Sequence, residues 1–430
     1  MSPLHAGLAR VNITPPSGLL MGGYGDRKDP AQGVHDPLWG QILLLDDGQS
    51  QVGLIVLDLV AVDAAFVDDL RGEIEAQTGL PGGNFLIAAT HTHSGPAGMR
   101  LSQTGLEQDG RYRDLRNDTR DKLVDLVRQA KTALQPAQLS AAIVQAPRLL
   151  ANRLDPQGPM DDSLSIFKLQ STNGDLLGIL VGYTGHPTLL GQENLLYSSD
   201  YPHYLRQELQ INLGASIPIL FVNGAAGDVS SRYTRQESSF EEANRVGTVL
   251  GQAAFRALLQ ARPYPVERLK VVSKDVMMPM REIPSLEEAR QHFMHAERRL
   301  NQFREQGMQG PELRKVVTEY FGSRSALKYA EQGVPAAIRA RLQAIALGNI
   351  VLIGLPGELF VALGQQIKSS SPYEITLLVG YANDYIGYIP SRQAYEGGGY
   401  EVRKTLLAPG AGEHLADAAV ELIKEIRGAS

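Results

Sequence analysis

The sequence of 430 residues contains no cysteine. This absence excludes disulfide bonds and thiolate metal ligands, so any metal site in the chain must use imidazole and oxygen donors. A chain without cysteine also suits a reducing compartment, and the first residues lack the basic start and apolar run of a signal peptide. We therefore expect a cytoplasmic protein, or a secreted one if the chain is already processed.

The sequence also lacks an excess of positive charge and has no long apolar run. Lys and Arg number 41 against 47 Asp and Glu, which gives a net charge of −6. No basic stripe is available to neutralise phosphates, which argues against a nucleic-acid partner. The longest apolar runs, residues 42–45 and 351–355, are far below the about 20 residues of a membrane-spanning helix, so no integral membrane segment is predicted. The sequence leaves the oligomeric state open.

What is present is the composition of an ordinary globular protein, with 43% hydrophobic and 20% charged residues. Short β-rich runs alternate with longer amphipathic segments, which predicts an α/β fold with a β-sheet core flanked by helices. No linker or repeat interrupts residues 1–430, so we expect a single domain. A charge-rich helical pattern at about 285–329, with a break at 307–311, predicts a helical insertion or lid within it.

Clusters of polar residues follow the predicted strands. Five of them come directly after an apolar run: residues 90–95, 185–188, 223–231, 356–358 and 381–388. In α/β proteins the loops at the carboxyl ends of strands carry the chemistry. We therefore expect these five loops to converge on one site.

Histidines in two of these clusters are candidate metal ligands. On an extended segment, His91 and His93 project to the same side, and the following Ser-Gly-Pro keeps the pair in a surface loop. His186, between a glycine and a proline, is predicted to lie in a fixed, exposed turn. The alternatives are two polar turn residues and a hydrogen-bonded core histidine. His35 with Asp36 is a weaker candidate for a structural or supporting role.

The remaining histidines are interpreted as structural, because all four lie in helical patterns: His203, His292, His295 and His414.

Two other candidates are open to two interpretations each. The small-residue stretch 223–232 is either a plain turn or an oxyanion site oriented by Asp228 and Ser230. Its spacing matches neither a dinucleotide fingerprint nor a P-loop. Glu358 is either a site carboxylate or a first-turn residue that complements a helix dipole.

Taken in order, these motifs resemble the catalytic domain of the neutral/alkaline, non-lysosomal ceramidases. The resemblance covers nearly the whole chain. Its segments are Asn-Ile-Thr-Pro-Pro (12–16), Met-Gly-Gly-Tyr-Gly (21–25), Gly-Val-His-Asp (33–36), Ala-Thr-His-Thr-His-Ser-Gly-Pro (89–96), His-Pro-Thr (186–188), Gly-Asp-Val-Ser (227–230) and Pro-Gly-Glu (356–358).

The resemblance implies a role for each matched residue. The implied zinc ligands are His91, His186, Glu358 and Tyr388, the last from the segment that resembles N-x-Y-x-x-Y. His93 is expected beside the metal, facing substrate. The implied substrate-side residues are Arg153, Ser230 and a tyrosine that is either Tyr395 or Tyr400.

The implied function is that of a zinc-dependent amidohydrolase. With Zn²⁺ as cofactor, zinc-activated water is expected to cleave the amide bond of a small-molecule or lipid N-acyl substrate, either a ceramide-like lipid or a smaller amide. A metal-dependent esterase or phosphoesterase and a non-catalytic binding protein of the same fold are the alternatives. In the family, Pro-Asn follows Gly-Asp-Val-Ser, whereas Ser231 and Arg232 follow it here.

Overall fold

Two β-sheets packed face to face form the centre of the structure, a computed structural model that describes residues 4–99, 106, 108–334 and 337–428. The elements of the first part are β1 (His5–Asn12), β2 (Gly33–Val34), β3 (Trp39–Asp46), β4 (Gln51–Leu57), α1 (Ala64–Thr78), a 3-10 turn (Gly82–Asn84), β5 (Phe85–Ala89), α2 (Gly110–Thr132), β6 (Gln135–Gln145), β7 (Ala151–Asn152), β8 (Ser163–Ser171), β9 (Leu176–Tyr183), β10 (Leu196–Tyr197), α3 (Tyr201–Leu213), β11 (Ile219–Asn223), β12 (Val229–Ser230), α4 (Phe240–Gln260) and β13 (Arg262–Tyr264).

The second part of the chain adds the smaller sheet and the remaining helices. Its elements are β14 (Leu269–Met278), α5 (Leu286–Glu305), α6 (Pro311–Gln332), β15 (Ile338–Leu347), β16 (Ile350–Gly354), β17 (Glu358–Leu359), α7 (Val361–Ser370), β18 (Ile375–Val379), β19 (Tyr388–Ile389), α8 (Ala394–Gly397), α9 (Tyr400–Lys404) and α10 (Ala411–Gly428). The predicted α/β class, with a sheet core and flanking helices, is confirmed.

The larger sheet has the strand order β11-β9-β8-β6-β1-β3-β4-β5, with β13 paired to β6, and the smaller has the order β14-β15-β16-β18. Most neighbours are antiparallel, but three pairs are parallel: β4 with β5, β9 with β11, and β16 with β18. Parallel strands end at the same edge of a sheet. The polar clusters therefore emerge at neighbouring strand ends, where they can contact one another. These clusters follow β5, β9, β11, β16 and β18.

Alternation along the strands assigns each side chain to one of two layers. In β3, Ile42 and Leu44 pack with the helices α1 and α2, whereas Leu43 and Leu45 face the second sheet. Central strands that are buried on both faces read as continuous apolar runs rather than as alternating ones. The helices α3 and α4 cover another part of the larger sheet, and α7 and α10 cover the outer face of the smaller one.

The helical insertion emerges between two neighbouring strands. Met278 at the end of β14 is paired with Ile338 at the start of β15, and the helices α5 and α6 lie between them in the chain. Ser285 begins α5 with a capping box that it shares with Glu288. Helix α6 packs against α9, where the rings of Phe321 and Tyr400 lie 6.1 Å apart. None of the described helices has the length and apolar character needed to span a membrane.

Candidate metal and catalytic site

The polar loops meet at one end of the two stacked sheets. Ala88 bridges to Ala382, the Ala89 N–H donates to the Tyr381 carbonyl, and the Gly380 N–H donates to the Asn223 carbonyl. These contacts join the loops after β5, β11 and β18. The convergence that the sequence predicted is therefore present in the structure.

His91 occupies a left-handed backbone conformation, with φ of 71°. This conformation is uncommon for a residue with a side chain and is kept only when the surroundings impose it. Here the His91 N–H donates to the Leu59 carbonyl, Nδ1 lies 2.6 Å from the Val60 carbonyl, and the ring stacks on Tyr381 at 3.9 Å. The two imidazoles of the motif do converge, but a turn at His91 brings them together rather than the strand alternation that we predicted.

His186 follows β9 and is held from the loop after β11. Its Nδ1 lies 2.7 Å from the Ala226 carbonyl and 3.1 Å from the Val229 carbonyl. The prediction of an exposed turn is wrong, because His186 is 0% exposed, and the surface position predicted for His91 and His93 is also wrong, at 1% and 8% exposed. The two sheets and their loops close over all three rings.

Glu358 lies in the short strand β17, opposite Tyr388 of β19. Its Oε2 is 2.9 Å from His186 Nε2 and 3.6 Å from His91 Nε2, and its Oε1 accepts a hydrogen bond from the Tyr385 hydroxyl. Helix α7 begins only at Val361. The helix-dipole interpretation of Glu358 is therefore wrong, since its carboxylate points at the histidines.

The nitrogen and oxygen lone pairs in this cluster suit a cation. A carbonyl can only accept, so Nδ1 of His91 and of His186 must each carry the proton, and their Nε2 atoms present lone pairs. The His186 lone pair faces the Glu358 carboxylate at 2.9 Å, a contact that requires a shared proton or a cation between the atoms. The ligand atoms of His91, His93 and His186 lie within 4.8 Å of one another, so these residues could hold a metal ion, and imidazole and carboxylate are ligands that zinc accepts.

His93 differs from the other two histidines. Its Nε2 lies 3.1 Å from His91 Nε2, but its Nδ1 is buried without a hydrogen-bond partner. Burial, together with the charges of His91 and His186, lowers the pKa of His93 well below its usual value. Because the neutral His91 ring carries its proton on Nδ1, its Nε2 can only accept, so without a metal the proton of His93 lies on Nε2 and Nδ1 is unprotonated. Such a ring can accept a proton at one nitrogen and donate one at the other.

On the other side of the cluster, Arg153 is held by a buried ion pair. Its Nη2 lies 3.1 Å from Glu401 Oε1, it donates to the Gly227 carbonyl, and its guanidinium lies 5.7 Å from the centre of the Tyr388 ring. Burial alone would lower the pKa of Arg153, but the Glu401 carboxylate raises it above its usual value. The structure therefore presents Arg153 as a fixed cation beside Tyr388.

The tyrosines are divided between two positions. Tyr395 donates its hydroxyl to the Leu407 carbonyl, away from the cluster, whereas the Tyr400 ring packs edge-on against Tyr388 at 6.0 Å. Burial and the Glu358 carboxylate raise the pKa of Tyr388 well above its usual value. The tyrosine whose hydroxyl contacts Glu358 is Tyr385. Tyr388 as a metal ligand stays a prediction.

The glycine-rich turn after β11 supports His186 rather than binding an anion. Its N–H groups at Gly224, Ala226 and Gly227 each donate to a backbone carbonyl, so the structure favours the plain-turn interpretation over the oxyanion site. Asp228 accepts from Asn152 and from the Val361 N–H, and its pKa is raised to about 6 by burial. The Ser230 hydroxyl accepts from the Arg232 N–H at 3.3 Å.

The other predicted residues lie outside the cluster. His35 and His203 both contact Asp36, at 3.0 Å and 3.5 Å, and the Asp36 carboxylate accepts from the Ser199 N–H. His292 and His295 lie in α5 and His414 in α10, as the helical patterns indicated. No role was predicted from the sequence for Glu401 or Tyr385, although Tyr385 lies in the polar cluster 381–388 named above.

Replacing Gly227 with alanine is expected to displace Glu358. A Cβ at Gly227 would overlap the backbone carbonyl of Glu358, which is backbone and cannot rotate away. We expect less bound metal and a fall of about 10-fold or more in any hydrolytic rate. Misplacement of a reacting group by about 1 Å can lower a rate by roughly 100-fold. Gly83→Ala, where a Cβ would meet no atom within 4 Å, is the matched control. Full metal content in Gly227→Ala would contradict the expectation.

Known proteins are similar to this chain in sequence, and solved structures are similar to it in fold. A family model described as the N-terminal part of neutral/alkaline non-lysosomal ceramidase matches residues 4–204. The chain is 24% identical to the neutral ceramidase of Pseudomonas aeruginosa over an alignment 474 positions long, which covers 95% of this chain and 70% of that protein. It is 27% identical to neutral ceramidase B of Dictyostelium discoideum over 146 residues, or 30% of this chain and 20% of that protein.

Two solved structures are similar in fold over 99% of the chain. One is a ceramidase complexed with C2, with a TM-score of 0.77 and 18% identity, of which the alignment covers 76%. The other is the crystal structure of the neutral ceramidase from Pseudomonas aeruginosa, with a TM-score of 0.77 and 20% identity, of which 75% is covered.

Proposed function

We propose that the chain belongs to the neutral/alkaline non-lysosomal ceramidase family and that it is a zinc-dependent hydrolase that cleaves the amide bond of an N-acyl substrate. The observation that carries the proposal is the buried cluster of two Nε2 lone pairs and one carboxylate that face one another at 2.9 and 3.6 Å. Such a set of N and O donors is typical of zinc in hydrolases.

In this proposal the cluster holds the metal and the surrounding groups handle the substrate. His91, His186 and Glu358 are the ligands, with Tyr388 as the fourth. When bound, zinc lowers the pKa of a water molecule and polarises the scissile carbonyl. Arg153, kept charged by Glu401, would orient the acyl oxygen or stabilise charge on it as the tetrahedral centre forms.

Proton transfer is assigned to His93. Its ring borders the cluster, stays neutral at neutral pH and has one nitrogen without a partner. A neutral imidazole can take the proton of the attacking water and return it to the leaving amine. Tyr400, packed on Tyr388, would contact the substrate side. Ser230 is assigned to substrate binding, because the contact described for its hydroxyl is an N–H donor and not a histidine.

The substrate proposed is an N-acyl compound, either ceramide-like or smaller. The phosphoesterase alternative loses its support, since the N–H groups that would have held an anion donate to carbonyls. An esterase uses the same groups and differs in its leaving group. Rates on N-acyl and O-acyl substrates with matched chain lengths decide between these two activities.

Removing the metal is the direct test. We expect one zinc per chain by mass spectrometry, loss of hydrolysis after chelation, and recovery when zinc is added back. His91→Ala and His186→Ala should each lose the metal, whereas His35→Ala should keep it, because His35 pairs with Asp36 outside the cluster. Tight binding of one zinc by both variants would place the metal elsewhere. A Ser230→Ala variant that is inactive, beside zinc-free protein that is active, would replace this mechanism with a serine nucleophile.

A further inference from the structure

The Met-Gly-Gly-Tyr-Gly segment and the arginine that follows it have no role in the mechanism above. Arg27 lies between β1 and β2, and its guanidinium donates to four backbone carbonyls. The four bonds are Nη1 to His93 at 2.8 Å, Nη1 to Gly22 at 3.3 Å, Nη2 to Gly191 at 3.3 Å and Nε to Gln192 at 3.1 Å. One side chain therefore joins the loop that carries His93 to the segment that follows His186.

The neighbours of Arg27 complete a support for the His93 ring. The Arg27 guanidinium lies 4.9 Å from the centre of the Tyr24 ring, and the Tyr24 ring packs edge-on against His93, also at 4.9 Å. The Tyr24 hydroxyl donates to the Leu190 carbonyl at 2.8 Å. At Gly23, with φ of 97°, a Cβ would overlap the His93 ring. The Gly23 backbone and the Tyr24 ring therefore pack closely against the His93 ring.

His93 needs such a support because it lacks the anchor that the other two histidines have. Nδ1 of His91 and of His186 is tied to a backbone carbonyl, and Nδ1 of His93 is not. Apart from the 3.1 Å contact of its Nε2 with His91 Nε2, the His93 ring is positioned through its main chain and its packing. The main chain of His93 is held by the bond from Arg27 at 2.8 Å.

We propose that Arg27 is a positioning residue for His93. It holds the His93 ring beside His91 and His186 through the His93 carbonyl and the Tyr24 ring. This inference rests on the proposed function for its effect on catalysis. The geometry requires a planar fork with several N–H donors, so lysine, with a single ammonium, does not replace it. The bonds also restrain the segment 190–192, so both histidine loops are aligned by one guanidinium.

Steady-state kinetics separate positioning from simple stabilisation. We expect Arg27→Met to lower kcat by roughly 10- to 100-fold, because catalytic groups displaced by about 1 Å lose that much. KM and zinc content should change little, and Arg27→Lys should recover little of the rate. Arg10→Met is the matched control, since Arg10 lies 4.7 Å from the Trp39 ring and bonds to Ser216, away from the cluster. Added guanidinium ion should restore part of the rate of Arg27→Ala.

A second measurement does not depend on turnover. In protein labelled with ¹⁵N-histidine, the His93 ring signals, identified by their absence in His93→Asn, should shift or broaden in Arg27→Met and stay in place in Arg10→Met. Unchanged His93 signals together with wild-type kcat would overturn the inference. If the wild-type protein shows no amide hydrolysis, the proposed function fails, and the His93 signals alone decide the positioning role. A loss of rate in step with lost zinc or lost folding would also overturn it.

Discussion

Glu358→Gln is expected to release the metal and abolish hydrolysis. The carboxylate is 2% exposed and lies between two imidazole lone pairs, so its negative charge is the one that would balance a cation in the cluster. Loss of a partner outside the ligand set costs about 10- to 100-fold in metal affinity, and loss of a ligand should exceed that range. Zinc titration and kcat/KM on an N-acyl substrate measure the two effects.

Further variants test whether the expected effect is specific to Glu358. Glu421→Gln removes an exposed carboxylate and should leave both zinc affinity and rate unchanged. Tyr385→Phe removes the hydroxyl that bonds to Glu358, and should weaken zinc by about 10-fold, whereas Tyr388→Phe should weaken it more if Tyr388 is the fourth ligand. Retention of tight zinc binding by Glu358→Gln would show that the cluster is not the metal site.

Glu401→Gln is expected to destabilise the protein by about 3–5 kcal/mol, because it removes the carboxylate that is paired with the buried Arg153 guanidinium. The side chains of this pair are 8% and 1% exposed, so water cannot solvate the unpaired guanidinium. Removal of both charges, in Arg153→Met with Glu401→Gln, should recover part of the stability, although activity stays low. Urea unfolding of the two single variants and the double variant measures the coupling between the charges.

The surface provides the matched comparison for this ion pair. Lys274 and Glu421 lie 3.0 Å apart with side chains 39% and 70% exposed, and such pairs contribute about 0–1 kcal/mol. Loss of Glu421 should therefore change the free energy of unfolding far less than loss of Glu401. Equal effects of the two substitutions would mean that the Arg153 pair is solvated in solution and that the buried charge argument is wrong.

The sequence predicted the position of the site better than its details. His91, His186 and Glu358 each follow an apolar strand, and the carboxyl ends of strands are where α/β proteins place such residues. Periodicity could not show that the strands form two stacked sheets, because strands buried on both faces read alike in either arrangement. The depth of burial of the three histidines follows from that stacking, which is why they were expected nearer the surface.

Other details depend on contacts between distant parts of the chain. Glu401 pairs with Arg153 from a short helix near the C-terminal end, and no spacing in the sequence connects the two. Tyr385 and Tyr388 are three residues apart in one turn, so the backbone path alone decides which hydroxyl bonds to Glu358. The left-handed turn at His91 is set by Leu59, Val60 and Tyr381, none of which marks it in the sequence.

The position of the helical insertion has a consequence for how this fold varies. Met278 and Ile338 are partners across an antiparallel ladder, so a short hairpin could connect them directly and the register of the smaller sheet would be unchanged. Yet the inserted helix α6 packs on α9 and brings Phe321 against Tyr400. Exchange of this one segment would therefore change what packs on Tyr400, while the strands next to the histidines keep their pairing.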